Sequence, residues 1–300
     1  DCPLLTSGFE SEKQEDMYPS RTAASEVYAQ VETDIEEALR LMPASSKLLH
    51  KASPAAINML RTEYYLWKAK RLGGGNAALS TAQSSVDAVL KAGYTLLPTF
   101  ADIFNLNNEA NSELIWTLPY IVNENVTPGT SPNFFAYYLA PNGDRTRLRE
   151  AGYTEDEVPA GSHAQYVVPT QAYCDFLAED ARDTRTDVSV RVFEDKFLTE
   201  EVQIKRMVVK FKGSFANDTR SFDSDVPVYR LAEAYLLKAE VENALGNTDA
   251  ALQNLNVVAK RAYGVDNYYT ARTQDAIDNA IISEILKEFV AESKAWWAYL

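Results

Sequence analysis

The side chains in this chain whose types could do chemistry are acidic pairs, two histidines, two cysteines and a dense run of aromatic rings. Glu288 and Glu292 stand four positions apart on one predicted helix face. A glycosidase sets two carboxyl groups about a sugar, one as acid and the other as base or nucleophile, so the residue types fit. With 43 acidic residues in the chain, however, such pairs are common, and a solvated helix face is the preferred reading. Asp218, Asp223 and Asp225 are close enough to suggest calcium, but the Gly and distal Glu of a calcium loop are missing. Asp225 reads instead as the N-terminal residue of a helix. His50 and His163 read as surface residues, because the chain has no Gly-x-Ser-x-Gly elbow and no His-Glu-x-x-His. Cys2 and Cys174 belong to no Cys-x-x-Cys or Cys/His cluster, which leaves separate thiols as the simplest reading and a disulfide as the alternative. Gly73, Gly74, Gly75 and Asn76 lack the Lys and the preceding strand of a phosphate loop and read as a helix C-cap. No cofactor, metal or catalytic residue is expected.

The aromatic run supports a more specific chemistry. A sugar ring offers apolar C–H faces and hydroxyl edges, so a glycan site combines flat rings with amide, Tyr and Arg hydrogen bonding. Phe134, Phe135, Tyr137 and Tyr138 supply candidate platforms. Asn133, Asn142, Asp144, Arg145 and Arg147 supply candidate edge contacts, and Tyr153 completes the set. The competing reading is that these rings pack their loop back onto the helices.

Several elements must hold such a cluster. Thr22 is a candidate N-cap for a helix that ends at Pro43, and Ser53-Pro54 starts a second, with Ile57, Leu60, Tyr64 and Trp67 along one stripe. A third helix covers Ala77 to about Lys91, stopped by Gly93. Asp225 to Arg261 reads as two helices joined at Gly246-Asn247-Thr248-Asp249. This hairpin repeats: Tyr65 to Ala69 corresponds to Tyr235 to Ala239, and Asn76 to Leu79 corresponds to Asp249 to Leu252. Ile277, Ile281, Ile285 and Phe289 mark a last helix. Tyr64, Trp67 and Tyr235 read as packing between hairpins. Pro119 to Pro169 holds six of the twelve prolines and four of the twelve glycines, so it cannot be one helix. Val188 to Phe193 and Gln203 to Phe211 alternate well enough to predict one short hairpin.

Composition narrows the function classes. A net charge of −14 and a pI near 4.7 leave no cationic excess for phosphates, which argues against nucleic acid. No run approaches the roughly 18 apolar residues of a spanning helix.

Asp225 to Glu240, with Tyr229, Arg230 and Leu231 at its centre, resembles the signature helix of SusD/RagB-type outer-membrane nutrient-binding lipoproteins. Four further segments are similar in the same order: Arg21 to Tyr28 with Asp34 and Leu41 to Pro43; Gly93 and Tyr94 with Phe104 and Asn111 to Trp116; Pro169 to Gln171 with Asp183 and Arg185; and Ile285 to Leu300. The resemblance implies an all-α, tetratricopeptide-like set of helical hairpins carrying a long loop-rich insertion and at most a short β-hairpin. It also implies one SusD-like domain over 1–300, incomplete at both ends, since members are usually longer and Glu292 to Trp297 departs from the family's Glu-Gly-x-Arg-Trp. Within that domain the expected parts are a first helical block at 22–95, the insertion at 119–225 and a second helical block at 226–300.

By that resemblance the protein is a surface-exposed lipoprotein of the cell outer membrane. It would capture an oligosaccharide or other nutrient without chemical change and pass it to a SusC-like TonB-dependent transporter docked on the repeat side. Any membrane attachment would run through a lipid anchor outside these residues, because Cys2 lacks the apolar signal segment. The alternatives are a helical-repeat interaction scaffold with no small-molecule ligand and a helical glycoside hydrolase.

Overall fold

The computed structural model describes residues 2–8, 18–43, 48–121, 152, 168–195, 203–216, 219–221 and 223–295. Three helices come first: α1 (Ala24–Leu41), α2 (Pro54–Arg71) and α3 (Gly75–Leu90). Ser53 starts α2 as its spacing predicts, its buried hydroxyl accepting from the Ala56 N–H at 3.2 Å with Pro54 in the first turn. Gly73, at φ 75°, takes the left-handed turn that ends α2, in agreement with the C-cap reading. Thr22 does not cap α1. The cap position is Ala23 with no side-chain bond, and the Thr22 hydroxyl instead accepts from the Leu4 N–H at 3.1 Å.

After two 3-10 turns the chain enters β1 (Leu114–Leu118), and it returns to the helical frame through β6 (Val226–Arg230). These strands pair antiparallel from Leu114↔Arg230 to Leu118↔Val226, with irregular register about Trp116. Between them lie α4 (Gln171–Leu177), α5 (Thr186–Ser189), β2 (Val190–Asp195), β3 (Gln203–Val208), β4 (Ser214–Ala216) and β5 (Thr219–Ser221). The predicted hairpin is present as β2–β3, in register from Val190↔Val208 to Asp195↔Gln203. The short pairs β1–β6 and β4–β5 add to it.

The helical frame resumes with α6 (Leu231–Ala244), α7 (Thr248–Tyr263) and α8 (Gln274–Glu288). Asp225 therefore does not begin a helix. The β-branched and aromatic stretch Val226-Pro227-Val228-Tyr229 pairs with β1 first, and Asp225 accepts from the Tyr120 N–H at 3.0 Å. The two hairpins share a core. Ala55, Met59, Val86, Val89, Ile115, Leu231 and Ala234 form one cluster across α2, α3, β1 and α6. Leu236, Leu255, Val258, Ile277 and Ile281 form another within α6, α7 and α8. Tyr64 is buried as expected, its hydroxyl donating to the Tyr28 carbonyl at 2.9 Å. The all-α reading holds, and no helix among the described residues is long and apolar enough to cross a membrane.

Candidate functional site

Phe134, Phe135, Tyr137, Tyr138, Asn142, Arg145, Arg147 and Tyr153 all lie outside the described residues, as do His163, Trp296 and Trp297. What the structure does describe is the stem from which the 122–167 segment is carried and the contacts that fasten the following segment to the helices. At the stem, the His50 Nδ1 lies 3.0 Å from the Thr117 hydroxyl, and the Asp225 N–H donates to Glu109 at 2.9 Å. Burial, with Asp225 and Asp223 nearby, pushes the Glu109 carboxyl up, against the hydrogen bond it accepts. No group of three or more His, Cys, Asp or Glu able to hold a metal occurs among the described residues. Cys2 is exposed and Cys174 buried, both as free thiols.

The fastening is a buried ionic lattice. Arg185, just before α5, grips Asp183 with Nε and Nη2 at 2.8 Å each, while its Nη1 donates to Glu284 at 2.7 Å and Glu288 at 3.1 Å on α8. Arg230, at the end of β6, donates to Glu288 at 2.5 Å, to Glu292 at 2.8 Å and to Glu113 at 3.2 Å. Arg261 on α7 pairs with both Glu113 and Glu288. Lys210 donates to Glu292 at 2.5 Å and to the Glu288 carbonyl at 2.9 Å. Arg230 and Glu288 are fully buried.

This lattice corrects the reading of Glu288 and Glu292 as a solvated helix face and also removes them as a glycosidase pair. Burial alone would raise the Glu288 pKa, but Arg261, Arg230 and Arg185 outweigh it and hold the carboxyl well below the usual range. A glycosidase acid needs the opposite shift and an open path to the sugar. The lattice was partly visible in the sequence as Asp183 and Arg185 two positions apart, but its partners on α8 lie 99 and 103 positions away.

Among the described residues, a groove of about 1080 Å³ is lined by residues of α1, α2, α6, α8 and β6 and by residues 291–294. Trp67, expected as packing between hairpins, is half-buried on its wall. A polar cluster forms part of the lining. Lys294 donates to Glu233 at 2.7 Å, and the Tyr229 hydroxyl donates to Glu63 at 2.6 Å.

A model of the SusD family matches residues 198–299. SusD-like protein P25 of Formosa agariphila is 28% identical over 233 residues, covering 69% of this chain and 43% of the relative. A SusD superfamily protein of known structure from Bacteroides fragilis superposes with a TM-score of 0.78 at 26% identity, covering 99% of this chain and 63% of that one. Surface glycan-binding protein A from Bacteroides thetaiotaomicron, solved in complex with laminarihexaose, shares the fold with a TM-score of 0.68 at 21% identity, covering 92% of this chain and 61% of that one. The chain thus spans less than two thirds of the length of each of these relatives.

Proposed function

We propose, with the SusD/RagB family that these matches support as the premise, that this protein is a non-catalytic, cell-surface nutrient-binding protein whose ligand is a glycan. The observation that carries the proposal is the fold shared with a surface glycan-binding protein that holds laminarihexaose. The arrangement of the chain agrees with it. A helical frame presents an insertion through one strand pair, and the aromatic run, which begins at Phe134, lies in sequence between β1 and α4. Binding residues concentrate on loops that a scaffold positions.

In this reading Phe134, Phe135, Tyr137 and Tyr138 stack on sugar faces, while Asn142, Arg145, Arg147 and Tyr153 bond the hydroxyl edges. Neutral, hydrogen-bonded capture leaves the glycan intact, and the one acidic pair that suggested hydrolysis is consumed by the lattice. The protein would sit on the outer membrane as a surface-exposed lipoprotein and pass its ligand to a SusC-like TonB-dependent transporter.

Calorimetric titration of the purified protein with a panel of oligosaccharides, followed by analysis of the same samples for cleavage, tests this reading. Binding of at least one oligosaccharide with no product is expected. Product formation would make the protein an enzyme, and absence of binding across the panel would favour the helical-repeat scaffold.

A further inference from the structure

The stretch of chain that carries the candidate rings leaves the described frame at Ile121 and rejoins it at Val168, and a charged side chain ties the backbone close to each of these points. Entry is by way of β1. The β1–β6 ladder ends at Leu118↔Val226, Pro119 has no N–H to donate, and the next backbone donor, the Tyr120 N–H, goes to the Asp225 Oδ1 at 3.0 Å. The second oxygen, Oδ2, accepts from the Thr117 hydroxyl at 3.3 Å and faces the His50 Nδ1 at 3.8 Å. The Asp225 N–H is itself held by Glu109 at 2.9 Å. With its side chain only 9% exposed, Asp225 carries the hold on the chain past the last backbone pairing of the strands.

The exit is tied from the other side. Arg206 on β3 donates from Nε to the Pro169 carbonyl at 2.8 Å and from Nη1 to the Gln171 side chain at 3.4 Å. Between those two residues, the Thr170 hydroxyl accepts from the Tyr173 N–H at 3.2 Å and so starts α4. The Tyr173 hydroxyl donates to the Leu286 carbonyl on α8 at 2.6 Å. The exit is thus fixed to β3 directly and to the helical frame through α4. Hydrogen bonds with one charged partner are about twice as strong as neutral ones, and both ties are of that kind.

We propose that Asp225 and Arg206 are positioning residues for ligand capture, which touch no ligand and act by fixing the two ends of the 122–167 segment. The role rests on the reading of that segment as the glycan-binding one. Its physical ground is pre-organisation. Binding must cover the conformational entropy of whatever it orders, so a chain whose two ends are already placed binds more tightly than one with a loose end.

The test measures oligosaccharide affinity, the urea midpoint and the hydrogen-exchange rate of the Tyr120 amide in the unaltered protein and in Asp225→Ala, Asp225→Asn and Arg206→Met. Arg272→Met, which breaks an exposed ion pair with Asp249, is the reference. Asp225→Ala and Arg206→Met should each weaken binding about tenfold with the urea midpoint unchanged. Asp225→Asn should keep the affinity, because its amide oxygen still accepts from the Tyr120 N–H, and the reference should keep it too. The Tyr120 amide should exchange faster in Asp225→Ala than in any other variant. Full affinity in both Asp225→Ala and Arg206→Met would overturn the proposal, and so would a lowered urea midpoint accompanying the lost affinity, which would make the two residues part of the general fold. An unaltered protein that binds no oligosaccharide overturns the capture reading itself, and faster Tyr120 exchange in Asp225→Ala would then assign the tie to the fold alone.

Discussion

Arg230 has Glu113, Glu288 and Glu292 all within hydrogen-bonding distance and no access to solvent, so its guanidinium holds three carboxylates in a place where none could ionise alone. Replacing a buried ion pair whole can be neutral, whereas removing one partner strands the rest. Arg230→Met should therefore lower the unfolding free energy by about 3–5 kcal/mol, read from urea denaturation. A loss below about 1 kcal/mol, the range of a surface pair, would show that the lattice is dispensable. The same residues set the acid limit. Burial pushes the Glu288 and Glu292 carboxyls up, but the surrounding arginines, with Lys210 for Glu292, leave both below the ordinary value of 4.5. A carboxyl whose folded pKa is depressed stabilises the fold above its unfolded pKa and loses that contribution as pH falls toward the folded value. The contribution of these two carboxyls to the urea midpoint should hold steady from neutrality to about pH 5 and be lost on further acidification. A midpoint unchanged down to about pH 3 would contradict the assignment.

At the scale of elements, local signals and tertiary pairing divide the work. Gly264 ends α7 at φ 68°, with open space where a Cβ would stand, so only backbone strain opposes a side chain there. Gly264→Ala should cost about 1 kcal/mol in the same denaturation experiment, and a neutral or stabilising result would show that the turn relaxes. The helices were legible because their cues are local. Ser53-Pro54 fixes the start of α2, and the fourfold spacing from Ile277 to Phe289 marks α8. The β2–β3 hairpin was legible from alternation. The stretch 225–230 was misread as helix because its partner, β1, is more than a hundred positions upstream, and a pairing at that distance leaves no periodic trace near Val226. Trp67 sits on a regular helical stripe, so its type suggested burial, yet it is only half-buried on the wall of the groove.

Across the whole molecule, the lattice joins the segment between β1 and β6 to the helices on its far side. Arg185 and Lys210 come from that segment, Glu284 and Glu288 from α8, and Arg261 from α7. Those pairings were legible only as residue types, because charge complementarity over such separations has no spacing rule. The candidate glycan site was legible as chemistry, rings beside amides and guanidinium groups, but sequence carries no information on whether those rings face a ligand or the frame. That distinction is the central claim, and it separates stability from binding. The most direct measurement is the oligosaccharide affinity and the melting temperature of the double variant Tyr137→Ala, Tyr138→Ala beside those of the unaltered protein. If the rings are a sugar platform, binding falls by about 1–3 kcal/mol per lost ring, comparable to other ring-stacking contacts, with the melting temperature unchanged. A lowered melting temperature with binding retained would make the rings part of the packed interior and contradict capture at this cluster.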